Sequence, residues 1–395
     1  MNHTDLAPKD LVCFSHLRWG FVFQRPQHLM SRFAKTHRVF FIEEPVYEEV
    51  AAPVIRMKRC EKTGVRVVTP VLPTGTSPAD SAQMTEILVR KLFVENNIGD
   101  FIAWYYTPMA LNYSRTLQPA VCVYDCMDEL SLFRNAPPAL RKNEQELFER
   151  SNLVFTGGVS LFEAKRRQHS RVYPFPSSVD CEHFRKARTC GDVAEDQKSL
   201  PRPRIGYAGV IDERIDLDLI RAIAERRPDW HIVMIGPVVK IDPATLPQRD
   251  NIHWLGMKDY SQLPEYMAGW DVAIMPFALN DSTRYISPTK TPEYLAAGLP
   301  VVSTPIRDVE SQYGDKGLVR IESTVEGFLR TVEQALMYEM GMKARERVDA
   351  YLATLSWDDT WRAMSQLIEQ ELQPVSTLVK QPPKPAVRHA GALSA

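Results

Sequence analysis

Long apolar runs are missing from this 395-residue chain: the longest, at 39–42 and 272–279, fall far short of the roughly 20 residues that cross a bilayer. Any membrane contact is therefore expected to be peripheral. The first ten residues are polar and lack the basic start, apolar stretch and small-residue cleavage site of a secretory signal, so the expected location is cytoplasmic. Cysteine is scarce. The six, at 13, 60, 122, 126, 181 and 190, form no Cys-x-x-Cys pair and stand near no histidine pair at zinc-like spacing, which reads as reduced thiols and no metal site. A surplus of either charge is also absent, with 48 Lys and Arg against 49 Asp and Glu. No broad field is available to recruit nucleic acid.

What is present is enough apolar material for two cores, at 44% hydrophobic and 25% charged residues, since single cores stop growing near about 250–300 residues. Short β-branched or aromatic runs alternate with helical patterns: strands at 11–14, 39–42, 65–68, 101–105, 121–124 and 153–156, helices at 24–36, 79–95 and 138–150. This alternation predicts a parallel sheet with covering helices. It stops in the polar, proline-bearing stretch 185–204 and then restarts, with strands at 205–210, 231–235, 252–255, 272–276, 301–303 and 318–321. The expected class is α/β, with a Rossmann-like domain over 1–190 and a second over 204–355. A helix at 356–373 is expected to pack back toward the first domain, and a disordered tail over 374–395 to follow.

In open parallel sheets ligands bind beyond the carboxyl ends of strands, so strand-to-helix junctions are where chemistry is sought. After the strand at 272–276, a polar loop carrying Asn280, Asp281 and Arg284 leads to Ser287, Thr289 and Lys290 at a helix start, with Glu293 just inside. Hydroxyls, helical N–H groups and a lysine suit a diphosphate. A carboxylate aimed at phosphate would repel it, so Glu293 is better used on a ribose diol. Plain capping, at about 1 kcal/mol per group, is the structural alternative. Gly209 lies at the end of the strand at 205–210 and Arg214 follows it, where the small residue lets a ligand approach and the guanidinium can grip phosphate. An Arg214 ion pair with Asp212 or Asp216 is the alternative there.

After the first strand come His16, Arg18, Trp19 and Gly20, then Arg25-Pro-Gln-His28. After the strand at 121–124, Asp125 and Asp128 could bind sugar hydroxyls or accept a proton, or simply cap a helix. The basic stretch 165–171 suits an anionic headgroup or a solvated helix face.

The segment Lys290-Thr-Pro-Glu293-Tyr-Leu-Ala-Ala-Gly298-Leu-Pro300-Val-Val resembles the donor-site motif of family 4 glycosyltransferases and related GT-B enzymes. The Arg25–His28 wording resembles glycosyltransferases of bacterial cell-surface polysaccharides, including the teichuronic-acid type. Pro176-Ser-Ser-Val-Asp180-Cys-Glu-His-Phe184 resembles the stretch that closes the family's first domain.

The resemblance implies a GT-B fold and retaining transfer from a nucleotide-diphosphate sugar to a saccharide or lipid-linked acceptor. No cofactor or metal is implied. It places Arg214 and Lys290 on the diphosphate, Glu293 on the ribose and Gly20 near donor or acceptor. Tyr285 stands where the family often has a first glutamate, leaving Asn280, Asp281 and Arg284 as candidates for its sugar contact. A non-catalytic nucleotide-sugar-binding subunit and a GT-B epimerase are the competing readings.

Overall fold

The computed structural model describes residues 8–191, 193–337 and 341–373; the tail expected at 374–395 lies outside them. The first sheet contains β1 (Asp10–Ser15), β2 (Arg38–Glu43), β3 (Val46–Glu48), β4 (Val54–Arg59), β5 (Arg66–Pro73), β6 (Phe101–Tyr105), β7 (Val121–Cys126), β8 (Leu153–Thr156) and β9 (Val172–Pro174). Its order is β3-β5-β2-β1-β6-β7-β8-β9, with β4 on the outer side of β5 as the antiparallel exception. The second sheet, wholly parallel, runs β12-β11-β10-β13-β14-β15. Its strands are β10 (Arg204–Ala208), β11 (His231–Ile235), β12 (Ile252–Gly256), β13 (Val272–Met275), β14 (Val301–Ser303) and β15 (Arg320–Ile321).

The central strands are apolar on both faces because helices cover both. β1, β6, β7 and β10 are buried at every residue, the pattern of a parallel sheet inside two helical layers. β3, β4 and β9 escape sequence reading for the opposite reason. They are short or lie at sheet edges, and β4 exposes Arg56, Lys58 and Arg59, so the apolar signal that marks a strand is diluted.

Each sheet reverses its strand order at its first strand: β2 and β6 flank β1, while β11 and β13 flank β10. A crevice opens at the carboxyl end of such a switch point. The two crevices face each other.

The chain recrosses at its end. Ser356 accepts hydrogen bonds from the N–H groups of Asp358 and Asp359 to start the helix Trp357–Leu372, and that helix buries Trp357, Met364 and Ile368 in the first domain's core. Each buried side chain of this kind contributes about 1.5–3 kcal/mol. His28 stacks on Trp357 with ring centroids 4.6 Å apart, and Arg32 pairs with Asp358 at 2.9 Å. No helix among the described residues is long and apolar enough to cross a membrane.

Candidate functional site

The facing strand ends enclose a cavity of about 510 Å³ lined from both sheets. The second domain's wall is built from two glycine turns on neighbouring strands. A Cβ at Gly209 would sit 1.8 Å from Cε and 2.5 Å from Nζ of Lys290, and one at Gly236 would sit 1.9 Å from the Gly209 carbonyl oxygen. Only hydrogen at both places lets the lysine lie across the mouth of β10, above the Tyr207 ring at 5.7 Å.

Lys290 opens the helix Lys290–Ala296, and Glu293 lies one turn in. With seven residues this helix has a modest dipole, so the positive potential comes chiefly from side chains. Lys290 makes no ion pair within 4 Å among the described residues. Burial first, and Arg214 second, lower its pKa to about 8, against the opposing pull of Glu293, Asp212 and Asp128. Burial likewise raises Glu293 to about 7, although Lys290 and a hydrogen bond from Thr289 resist the shift.

Arg214 lines the same wall. Its Nε and Nη2 bind Asp212 at 3.0 and 2.7 Å. Burial disfavours its charge, but Asp212 outweighs that cost and keeps its pKa raised. The pairing anticipated as a structural alternative therefore exists, and it coexists with a place on the cleft. Ser287 and Thr289 also line the cavity.

From the first domain, Trp19, Gly20 and Asp128 reach the cavity. The Asp128 carboxylate has no ion pair among the described residues. Burial raises its pKa, which Arg214 counters and Asp212 reinforces.

Six expected site residues do not join this group. Asp125 is fully buried and gripped by Arg25, with Nε at 3.1 and 3.0 Å and Nη2 at 2.8 Å. Its carboxylate is spent on holding β7 to the helix Arg25–Phe33. Arg18 is tied to Glu43 at 3.2 Å and to the Glu44 and Pro45 carbonyls, which braces the loop instead of presenting a cation. His16 lies outside the lining; its Nδ1 is buried without a partner, and burial lowers its pKa to about 4, so the neutral ring is a weak base.

Asn280 caps its own turn and donates to the Glu213 carbonyl at 3.1 Å. Asp281 and Arg284 are exposed, with Arg284 over the Tyr285 ring at 5.3 Å. Tyr285 itself packs against the first domain's apolar cluster. In the basic stretch, Lys165 is buried between Glu129 and Glu144 at 2.6 and 2.9 Å, not on a solvated face. Among the described residues no group of three or more His, Cys, Asp or Glu could hold a metal.

Sequence reasoning missed Tyr207, Gly236 and Tyr260. Gly236 was detectable as a glycine ending a strand. Tyr260, stacked on Phe23 at 4.6 Å and His183 at 4.4 Å, joins the cavity only through contacts between residues far apart in sequence.

Comparison with known proteins follows the same outline. Residues 202–337 match the family model described as glycosyl transferases group 1, so the second domain carries that domain type. A Bacillus subtilis (strain 168) protein named for teichuronic acid biosynthesis, the glycosyltransferase TuaH, is 24% identical over 221 residues, 51% of this chain and 54% of that protein. The match thus spans about half the length of the relative.

Over 92% of this chain and 98% of its own, sucrose-phosphate synthase from Thermosynechococcus elongatus superposes with a TM-score of 0.68 at 13% identity. The E. coli trehalose-6-phosphate structure bound with UDP-2-fluoro glucose gives 0.65 at 13% identity, covering 93% and 99%. A UDP-forming trehalose-phosphate synthase from Burkholderia xenovorans, in complex with glucose-6-phosphate, gives 0.65 at 12% identity, covering 91% and 100%. The fold is GT-B, as the motif in the second domain implied.

Proposed function

We propose that the protein is a glycosyltransferase that moves a sugar from a nucleotide-diphosphate sugar to a saccharide or lipid-linked saccharide in cell-surface polysaccharide synthesis. The observation that carries this reading is Lys290: a half-buried ammonium without an ion pair among the described residues, laid over Gly209 beside Arg214 in the cleft. Partial desolvation of an unpaired charge is costly, and a bound diphosphate would offset that cost. Glu293 would accept hydrogen bonds from the ribose hydroxyls, and Trp19 and Gly20 would meet the acceptor.

During transfer the bond from the anomeric carbon to the diphosphate oxygen breaks and a bond to the acceptor oxygen forms. Arg214 and Lys290 hold the departing diphosphate more tightly as its charge grows, which lowers the barrier without a metal. Asp128, with its raised pKa, would take the acceptor hydroxyl's proton. Retention of anomeric configuration, a cytoplasmic site of action with peripheral membrane contact, and a polysaccharide role like that named for TuaH belong to this proposal. The division into domains at 1–190 and 204–355, with 356–373 returning to the first, belongs to it too.

A thermal-shift screen against nucleoside diphosphates and their sugars is the first test. A ligand at 100 times its Kd should add about 2.7 kcal/mol of stability. For the ligand found, Arg214→Ala and Glu293→Ala should each weaken binding about 10- to 150-fold, the equivalent of roughly 1.5–3 kcal/mol. Full affinity in both folded variants would refute the site. Tyr285, packed on apolar side chains where the family often has a glutamate, favours one other reading, a binding subunit without catalysis. Tight donor binding with no diphosphate release across a broad acceptor panel would establish it.

A further inference from the structure

The helix that carries Lys290 and Glu293 is held at its other end by a residue from the connection between the domains. Arg188 lies just after the short helix Cys181–Arg185, in the stretch leading from β9 to β10. Its Nε donates to the Ala296 carbonyl at 2.7 Å and its Nη2 to the Leu295 carbonyl at 3.2 Å. Those carbonyls belong to the last turn of Lys290–Ala296, where a helix has no internal donors left and a cation is favoured.

Gly298 makes room for this contact. Its φ is +86°, and a Cβ there would lie 3.3 Å from Cγ and Nε of Arg188. The same guanidinium donates to Asp349 through Nη1 at 2.9 Å and Nη2 at 2.8 Å. Asp349 sits on the helix Met342–Leu352, the element before the chain recrosses to the first domain. One side chain therefore joins the outgoing connection, the approach to the return crossing and the rear of the helix whose front faces the cleft.

We infer that Arg188 is a positioning residue for donor binding: by gripping the carbonyls at the carboxyl end of the helix Lys290–Ala296 from the outgoing connection, it sets where Lys290 and Glu293 stand. This rests on the donor reading proposed above. A helix of seven residues has too few internal hydrogen bonds to hold its own axis, so an external tether at its rear has a large share in fixing its front.

The test compares Arg188→Ala, Arg188→Lys and Asp349→Asn in the full-length protein, with three measurements: the melting temperature, the Kd for UDP, GDP and ADP by calorimetry, and amide hydrogen exchange along residues 290–297. Asp349→Asn removes the charge pair but leaves both carbonyl contacts, so it should lower the melting temperature while changing nucleotide Kd by less than about twofold. Arg188→Ala should weaken the preferred nucleotide about tenfold and speed exchange along the helix, and Arg188→Lys, which keeps one donor, should recover part of both.

Nucleotide affinity in Arg188→Ala within twofold of wild type would overturn the inference, as would an equal loss in Asp349→Asn. If wild type binds none of the three nucleotides, the donor reading is in error. Exchange then decides for Arg188 alone, and unchanged protection of the helix in Arg188→Ala would reject its role.

Discussion

Charge around the cleft is handled in two opposite ways. Some of it is neutralised within the protein: Asp125 sits in the fork of Arg25, Lys165 lies between Glu129 and Glu144, and Arg214 pairs with Asp212. In the second domain Lys290 and Glu293 share the cavity without an ion pair, and their pKa values shift toward neutrality from opposite directions, to about 8 and about 7. A satisfied buried pair fixes a structure, whereas half-buried charges without an ion pair are open to a ligand. The same residue types are thus structural where they are paired and available for binding where they are not.

The largest test of this contrast is on the satisfied side. Asp125→Ala leaves Arg25 buried and unpaired, and should cost about 3–5 kcal/mol in denaturant unfolding, with donor Kd unchanged in conditions where the variant remains folded. A fall in donor affinity without loss of stability would return Asp125 to the site. The converse substitution, Lys290→Met, removes an unpaired charge. It should stabilise the free protein by on the order of 1–3 kcal/mol, visible as a higher melting temperature, while donor binding falls at least about tenfold. Destabilisation together with retained binding would erase the distinction between paired and unpaired charges.

The same two groups predict a pH dependence. Below about 7 Glu293 takes up a proton, and above about 8 Lys290 gives one up, so affinity for a nucleotide sugar should peak between those values and fall on both sides. Glu293→Gln should flatten the acid limb and Lys290→Arg the alkaline one, read by calorimetry across pH. The smallest effect belongs to a residue outside the cavity: Arg284→Ala should leave donor Kd within about twofold, since exposed charges of this kind contribute less than about 1 kcal/mol. A larger loss would bring the 280–284 loop back to the donor sugar.

The contrast also marks how far sequence reading reaches. Lys290, Glu293, Gly209 and Arg214 were legible because each sits at a strand-to-helix junction, where a parallel sheet presents its ligand, and because the run Lys290–Pro300 has a recognisable spacing. Asp125 satisfied the same criterion, and from sequence its use stayed open between the site and a helix cap. It ends β7, but which way its carboxylate is used depends on Arg25, a hundred positions away. Asn280, Asp281 and Arg284 stand in the right loop, yet that loop turns outward once Thr283 binds back to the Ala278 carbonyl at 2.6 Å.

Alternation of strands and helices, the interruption near 185–204 and the local chemistry of the 287–293 segment are properties of neighbouring residues, and they determine an α/β chain with two sheets and a helix start that carries hydroxyls and a lysine. Which buried charges find partners is a property of distant ones. Arg25 with Asp125, Arg188 with the helix that ends at Ala296, and Gly209 beneath Lys290 meet only after the sheet around each of them has formed. Tertiary structure therefore decided which polar residues hold the protein together and which are left for a ligand.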